Sequence, residues 1–184
     1  TSLTYLNTIN TYEVNQYMDI DVNTRRNLEI TETMRDKVKR GSLLWVLDKT
    51  KTAMGKRLIR SWLEHPLLNV SAINNRQSAV EELVNNNMLR LDIMDALSGI
   101  FDIERLMTRI VYGSANGREL RSLAAALQKL PQLSELVADC SAKYLKKVYK
   151  EIDLLEDIYN LIDSAIVEEP PFSVREGGMI KKGY

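Results

Sequence analysis

Apolar residues recur at helical spacing along most of the chain, and segment 52–64 is the clearest example. At roughly 100° per residue, one half of the wheel is apolar or small and holds Met54, Gly55, Leu58, Ile59, Trp62 and Leu63. The other half is polar and holds Lys56, Arg57, Arg60 and Glu64. Pro66 follows and cannot continue a helix. The pattern predicts an amphipathic helix over 52–64.

Two more helices are predicted between residues 69 and 97. The first runs from about Asn69 or Ser71 to Asn85, and the residues expected to be buried on it are Ile73, Val80, Leu83 and Val84. The second lies near 88–97, and its apolar residues are Leu89, Ile93, Met94 and Leu97.

Capping residues delimit three further helices. Asp102 is a predicted N-cap, and Gly113 is the predicted C′ residue of the same helix. Asn116 and Glu119 have the spacing of a capping box, and Pro131 ends that helix and begins the next. The residues expected to face inward are Ile103, Leu106, Met107, Ile110, Leu120, Leu123, Leu127, Leu130, Leu133, Leu136, Val137 and Cys140.

From residue 145 to residue 166 the apolar spacing is almost heptad, which predicts one long helix or two abutting helices. The residues of this stripe are Leu145, Val148, Tyr149, Ile152, Leu155, Tyr159, Ile162 and Ile166. Two prolines then end the helical pattern, and a Gly-Gly pair within 172–184 predicts a turn or small hairpin. Residues 12–18 have the composition of a short strand. Together these patterns predict an all-α fold, an irregular multi-helix bundle with a small β/turn appendage near the termini.

The composition is that of a soluble globular chain and excludes several functional classes. Its 184 residues are 45% apolar and 27% charged, and 25 basic residues balance 25 acidic ones, which excludes a globally basic nucleic-acid binder. No run of about 18 apolar residues is present to span a membrane. Because Cys140 is the single cysteine, a disulfide framework and a cysteine zinc site are excluded. A Ser-His-Asp, His-Cys or histidine metal site would have to use His65, the single histidine, which precedes Pro66 at the predicted end of a helix.

Charge is segregated along the chain. Residues 35–60 contain nine basic and two acidic side chains, whereas residues 151–176 contain eight acidic side chains and one arginine. The basic segment is interpreted as a contact for a phosphate backbone, as a solvated face, or as a partner of the acidic segment. The candidate nucleic-acid contacts within it are Lys49, Lys51, Lys56, Arg57 and Arg60.

No constellation for catalysis, cofactor binding or metal binding is found. The Gly55-Lys56 pair resembles part of a phosphate loop, but Arg57 occupies the position of the magnesium-binding Ser or Thr, and Thr50 that of the first glycine. Gly55 instead lies on the apolar half of the 52–64 wheel. Because a helical glycine there permits close backbone approach, the sequence predicts that a neighbouring helix crosses at Gly55.

A set of short motifs occurs in one order along nearly the whole chain. They are DVNTRRNLE at 21–29, GSLLWVLDKTKTAMGKRL at 41–58 running into WLEHPL at 62–67, INNR at 73–76, DIERL at 102–106, GSANGREL at 113–120, LP at 130–131 and REGGMIKKGY at 175–184. Each motif is weak alone, but the ordered set is specific. It resembles the core (lever) domain of the MutS family of DNA mismatch repair proteins.

The resemblance implies that 1–184 is the first half of such a core domain within a longer chain. Residues 1–20 would form the junction with a connector domain, and 172–184 a hairpin-like lead-in to the clamp helix. The segment would be a structural and coupling module that links an ATPase domain, the connector and a DNA clamp. The longer protein would be a cytoplasmic homodimer that binds mismatched double-stranded DNA, uses ATP and Mg²⁺, and works with other mismatch repair proteins.

The segment itself is not expected to hydrolyse ATP or to read mismatches, because the phosphate loop and the mismatch-reading Phe-x-Glu motif of the family are absent from it. No membrane contact is expected either, because it has no long apolar run. The resemblance also implies that part of the 145–166 stripe stays exposed in this segment, since it would pack on helices found elsewhere in the longer protein. Two alternatives remain. One is an independent helical scaffold for protein–protein interaction, and the other is a segment of a MutS-like recombination protein.

Overall fold

The computed structural model describes residues 16–184, which fall into two compact units. Unit 1 consists of the residues through Leu47 together with Arg60–Asn74, and unit 2 consists of Asp48–Ile59 and Asn75–Tyr184. Most of the strand predicted over 12–18 lies outside the described residues. Within that stretch, Tyr17 forms an isolated antiparallel bridge with Leu67.

The described part of the chain is all-α, as predicted. Its α-helices are α1 Val22–Asn27, α2 Leu43–Leu47, α3 Ala53–Glu64, α4 Val70–Asn85, α5 Asn87–Leu97, α6 Ile103–Val111, α7 Gly117–Leu127, α8 Leu130–Ala138, α9 Lys143–Glu151 and α10 Glu156–Ala165. Extended structure in the same residues is limited to isolated bridges. None of the helices described is both long and apolar enough to cross a membrane.

Unit 1 is organised around the contact between residues 29–30 and the start of α2. The backbone N–H of Leu43 donates to the carbonyl of Glu29 at 3.0 Å, and that of Leu44 donates to the carbonyl of Ile30 at 2.9 Å. Ile30 and Leu44 are buried there, and the buried Ser42 hydroxyl accepts from the N–H of Trp45 as a cap of α2. This packing fixes α2 against the end of α1.

Unit 2 has three apolar clusters, with α7 and α8 at their centre. Helix α7 packs on α6 and α10 through the cluster that includes Leu123, Leu127 and Ile162. Helix α8 packs between α5 and α9 and contributes Leu133 and Val137 to the other two clusters. The capping predictions are confirmed, because Asp102 and Asn116 cap α6 and α7 as expected and Gly113 has a φ of +64°.

Three residues predicted to be buried are exposed. Val80 and Val84 on α4 are 60% and 58% exposed, and Met107 on α6 is 44% exposed. On α4 the small residue Ala79 is buried instead and packs in the cluster with Leu83 one turn further on. The inward face of α4 is therefore shifted from the predicted one, because Ala79, and not Val80 or Val84, packs in the cluster that holds Val137 of α8 and Leu145 of α9.

The 145–166 stripe forms two helices within unit 2, and part of it stays exposed, as expected. Leu145, Ile162 and Ile166 are buried, whereas Tyr149 and Leu155 are 43% and 37% exposed. Residues 152–155 separate α9 from α10, and Leu155 adopts the left-handed conformation with φ +50°. The two halves of the stripe then enter different apolar clusters.

The hairpin predicted within 172–184 is replaced by a different arrangement. A short 3-10 helix spans Val174–Glu176, and Ile180 forms its isolated bridge with Ile166, at the end of α10. The N–H of Val167 donates to the carbonyl of Met179 at 3.0 Å. Left-handed glycines at 177 and 178 turn the chain so that it pairs with the residues after α10 and not with its own upstream half.

Candidate nucleic-acid interface

The basic segment of unit 2 is a tight turn that leads into α3. The Asp48 carboxylate accepts hydrogen bonds from the backbone N–H of Thr50 at 3.2 Å and from its hydroxyl at 2.6 Å. The Thr52 hydroxyl accepts from the N–H of Gly55 at 3.0 Å, which is the geometry of a helix N-cap. These bonds present Lys49 and Lys51 on an ordered turn at the positive end of the α3 dipole.

The structure places the five candidate cations in two different situations. Lys49, Lys51 and Lys56 are exposed, and in the described range 16–184 none of them takes part in an ion pair. Arg60, in the unit 1 part of α3, donates from Nε to Glu64 at 3.0 Å, one turn along the helix. Arg57 is bound to acidic residues of α6 and its cap.

Arg57 joins the unit 2 part of α3 to the start of α6. Its two terminal nitrogens donate to the two carboxylate oxygens of Asp102 at 2.7 and 2.6 Å, a bidentate pair. Its Nε donates to Glu104 Oε2 at 2.9 Å. Asp102 also caps α6 by accepting from the N–H of Arg105. One arginine therefore connects two segments that lie 45 residues apart in the chain.

Arg57 and its carboxylate partners shift one another's pKa values. Hydrogen bonding to Asp102 and then to Glu104 raises the pKa of Arg57 above its usual range. The Arg57 guanidinium in turn holds the pKa of Asp102 below its usual value. Two carboxylates face one guanidinium here, so Arg57 adds no net positive charge to the basic segment.

The acidic segment 151–176 is not the partner of Arg57. Both partners, Asp102 and Glu104, lie outside it, whereas Asp163 within it accepts from Arg121 on α7 at 2.7 Å. The Arg121 hydrogen bond lowers the pKa of Asp163. Within unit 2, these ion pairs therefore join α3 to α6 and α7 to α10.

The helix crossing predicted at Gly55 is not found. A Cβ built on Gly55 meets Thr52 Oγ1 at 3.1 Å and the Thr50 side chain at 3.3 Å, so the nearest atoms belong to the turn before the same helix. The glycine makes room for the capping turn. Gly55 and Lys56 also lie inside a helix and not in a loop before one, so they form no phosphate loop.

Over 16–184 no group of three or more His, Cys, Asp or Glu side chains is arranged to hold a metal ion. Cys140 is buried, and burial raises the pKa of its thiol, which makes it an inert packing residue.

The start of α9 is fixed by a residue that the sequence pattern did not single out. Glu82 on α4 accepts hydrogen bonds from the backbone N–H groups of Ser141 and Ala142, both at 2.6 Å. These bonds lower the pKa of Glu82. The carboxylate thus holds the two residues that precede α9, whose N-cap residue Ala142 makes no side-chain capping bond. Because the contact spans about 60 residues, no local pattern indicates it.

The start of α7 is covered by the C-terminal segment. A Cβ on Gly117 would lie 2.8 Å from Pro170 Cβ and 2.9 Å from Met179 Cγ, closer than real contacts allow. Arg118 donates to the carbonyl of Pro170 at 3.1 Å and lies over the ring of Phe172. Gly117 is therefore the close-packed glycine of unit 2, and its place beside the capping box was the available sequence signal.

Comparison with known proteins identifies the family. The family model for MutS domain III matches residues 23–182. The DNA mismatch repair protein MutS of Lachnoclostridium phytofermentans is 50% identical over 183 residues, and that of Clostridium novyi is 48% identical over 184 residues. Both matches cover the whole chain and 20% of the relative, so the chain spans about a fifth of the length of these curated relatives. The chain therefore belongs to the MutS family and corresponds to its domain III.

Proposed function

We propose that this segment is a structural and coupling module of a longer DNA mismatch repair protein. It would link an ATP-hydrolysing domain, a connector and a DNA clamp, and it would not itself be an enzyme. The relatives it matches along its whole length are DNA mismatch repair proteins. Residues 1–20 would join it to the connector, and 172–184 would lead to the clamp.

The observation that carries this proposal is that three helices of unit 2 have their starts fixed by residues remote in the chain. Arg57 binds the cap of α6, Pro170 and Met179 cover the start of α7, and Glu82 binds the two residues before α9. Helix ends are where helices fray most readily. A module fixed at these points moves as one body, which is what transmission of a displacement between distant domains requires.

The ligands of the longer protein follow from the same proposal. ATP with Mg²⁺, mismatched double-stranded DNA, a second copy of the protein and other mismatch repair proteins would bind there, in the cytoplasm. The part that we propose for the segment is mechanical. Such a role needs a rigid shape more than a reactive group.

Within the segment, we propose Lys49, Lys51 and Lys56 as the side chains that contact a DNA backbone. Their charges are unpaired within the described residues, and they lie at the start of α3, where the helix dipole also favours phosphate. Arg57 and Arg60 are removed from this set because carboxylates already bind them.

The decisive experiment uses the full-length protein that carries this segment. We expect Arg57→Gln and Glu82→Gln to leave mismatch affinity and basal ATP hydrolysis nearly unchanged, but to reduce mismatch-stimulated ATP turnover about five-fold or more, the size of typical coupling effects. Lys147→Gln is the matched control, because it removes an exposed i,i+4 ion pair of α9.

Two outcomes would contradict the proposal. One is normal mismatch-stimulated turnover in folded Arg57→Gln and Glu82→Gln proteins. The other is ATP hydrolysis by the isolated 184-residue chain, or a preference of that chain for mismatched DNA that survives high salt.

A further inference from the structure

Unit 1 carries a platform of exposed apolar side chains on and around α2. Four of the five residues of this helix are large, apolar and 44–54% exposed: Leu43, Trp45, Val46 and Leu47. Leu44 alone faces inward, at 4% exposure. At roughly 100° per residue, Val46 lies almost opposite Leu44, so the exposed arc is continuous around the outer side of α2.

Glu29 extends this platform by holding two neighbouring segments against α2. Its backbone carbonyl accepts from the N–H of Leu43, and its carboxylate accepts from the N–H of Met34 at 2.6 Å. Leu28, which precedes Glu29, is 63% exposed, and Met34 is 50% exposed. We define the α2 platform as Leu28, Met34, Leu43, Trp45, Val46 and Leu47.

A cationic turn adjoins the platform. Residues 33–38 are closed by a hydrogen bond from the N–H of Thr33 to the carbonyl of Val38 at 2.9 Å, and Gly41 packs against Thr33. This turn exposes Arg35, Lys37 and Arg40, with Asp36 as the single acid between residues 34 and 47. Apolar surface and positive charge therefore lie side by side in unit 1.

We infer that the α2 platform is a docking surface for an acidic amphipathic helix from the part of the longer protein outside these 184 residues. Its apolar face would cover Val46 and its neighbours, and its carboxylates would meet Arg35, Lys37 and Arg40. Exposed apolar patches of this kind mark interaction sites. The curated relatives are about five times as long as this chain, so ample sequence exists to supply the helix.

The charge of the turn selects this occupant over others. The platform alone could bind any apolar helix. Three exposed cations at its edge favour a helix that carries acidic residues beside its apolar face. A nucleic acid would use the cations but leave most of the apolar side chains in water, because Trp45 is the single aromatic residue of the platform. The inference rests on the proposed function only in that it requires a longer chain.

The test measures the reactivity of a thiol placed on the platform. Val46→Cys is introduced into the 184-residue chain and into the full-length protein, and its maleimide labelling rate is followed by peptide mass spectrometry. The native Cys140 interferes little, because it is 3% exposed and burial raises its pKa. Met88→Cys, on the 76% exposed Met88 of α5, is the control site.

We expect Cys labelling at position 46 to be fast in the 184-residue chain and about ten-fold slower or more in the full-length protein. The protection should fall at high salt and on reversal of Arg35, Lys37 and Arg40 to Glu, because both weaken attraction to an acidic helix. Labelling at position 88 should respond to neither change. Circular dichroism checks that the charge-reversed protein is folded, and the salt series gives the same answer without that variant.

Three results would overturn the inference. Equal labelling at position 46 in both lengths would show that the platform stays open. Protection that is indifferent to salt and to charge reversal would exclude an acidic partner. Protection that appears in the 184-residue chain as its concentration rises, or on addition of DNA, would assign the platform to a second copy or to nucleic acid. Because labelling needs neither ATP nor a mismatch, this failure is distinct from failure of the coupling assay.

Discussion

Units 1 and 2 bury their apolar residues to different extents. Unit 2 has three apolar clusters, and its helices α7 and α8 each contribute residues that are less than a tenth exposed. In the described part of unit 1, Ile30 and Leu44 are the buried apolar residues, and most of α2 faces outward. Unit 2 therefore contains its own core, whereas the described part of unit 1 leaves most of α2 exposed.

The two units also differ in what holds their segments together. In unit 2, remote side chains bind the starts of helices, as Glu82 does for α9 and Arg57 does for α6. In the described part of unit 1, segments are joined chiefly by backbone hydrogen bonds, such as that from the N–H of Met18 to the carbonyl of Pro66 at 2.7 Å. Side-chain anchoring specifies one arrangement, and backbone pairing tolerates more sequence change.

The largest expected effect compares one core leucine from each unit. Leu127→Ala in unit 2 should cost about 4 kcal/mol, because Leu127 is 2% exposed and its removal leaves a cavity in dense packing. Leu44→Ala in unit 1 should cost about 2 kcal/mol, since a sparsely packed site collapses more easily. Urea denaturation followed by hydrogen exchange measures both, and equal costs would remove the contrast between the units.

The second comparison uses two glycines that both lie in the first turn of a helix but have different neighbours. Gly117→Ala should destabilise unit 2 by about 1–3 kcal/mol, because Pro170 is a buried ring that cannot move away from the added Cβ. Gly55→Ala should be within about 0.5 kcal/mol of the parent, because helix propensity offsets a small shift of the Thr50 and Thr52 side chains. Urea melts of both variants decide. A stable Gly117→Ala would mean that the C-terminal segment does not press on α7.

The third prediction concerns the hydrogen bonds from Glu82 to the two residues before α9 and their dependence on pH. Glu82→Gln should cost about 1 kcal/mol at neutral pH, the usual size of one hydrogen bond's contribution. The folded pKa of Glu82 lies below the usual value of 4.5, so its contribution is present above that value and is lost as the pH falls through the folded pKa. The difference between parent and variant in urea melts should therefore shrink in acid. A difference that stays constant to low pH would contradict the assignment.

The smallest effect concerns DNA. Binding by the isolated chain should be weak, equal for matched and mismatched duplexes, and steeply salt-dependent. Replacement of Lys49, Lys51 and Lys56 by Gln should lower the salt slope by up to about 3, because each lysine that neutralises a phosphate contributes about 0.9 to it. The matched control replaces Lys143, Lys147 and Lys150 of α9, which removes the same charge. Equal effects of the two triple variants would show that total charge, and not the turn before α3, determines binding.

In unit 2, the sequence predicted the features that depend on interactions between residues close in the chain. Caps depend on residues three positions apart, so Asp102, Asn116 and Glu119 were identifiable without any fold. Val80 and Val84 of α4 were wrongly predicted to face inward, because the pattern gives weight to large apolar residues, whereas Ala79 is the buried residue of that helix. A search for large apolar side chains does not detect small residues that are buried.

The candidate site was predicted in outline and not in detail. Nine cations between residues 35 and 60 are evident in the sequence, but the partners of Arg57 are 45 and 47 residues away in the chain. Spacing alone cannot indicate which cations a fold neutralises. The same limit applies to Glu82 and to Gly117, whose roles depend on segments that come together only after folding.

The bend at Leu155 has a consequence for how this region can vary between related proteins. A continuous helix would tie the spacing of Leu145 to that of Ile162, and any insertion between them would turn one of the two away from its neighbours. Because residues 152–155 are not helical and each half of the stripe belongs to a different cluster, the two halves are independent in phase. Related chains should therefore accept insertions or deletions at 152–155 while both clusters persist, and the near-heptad spacing seen here is a coincidence of linker length.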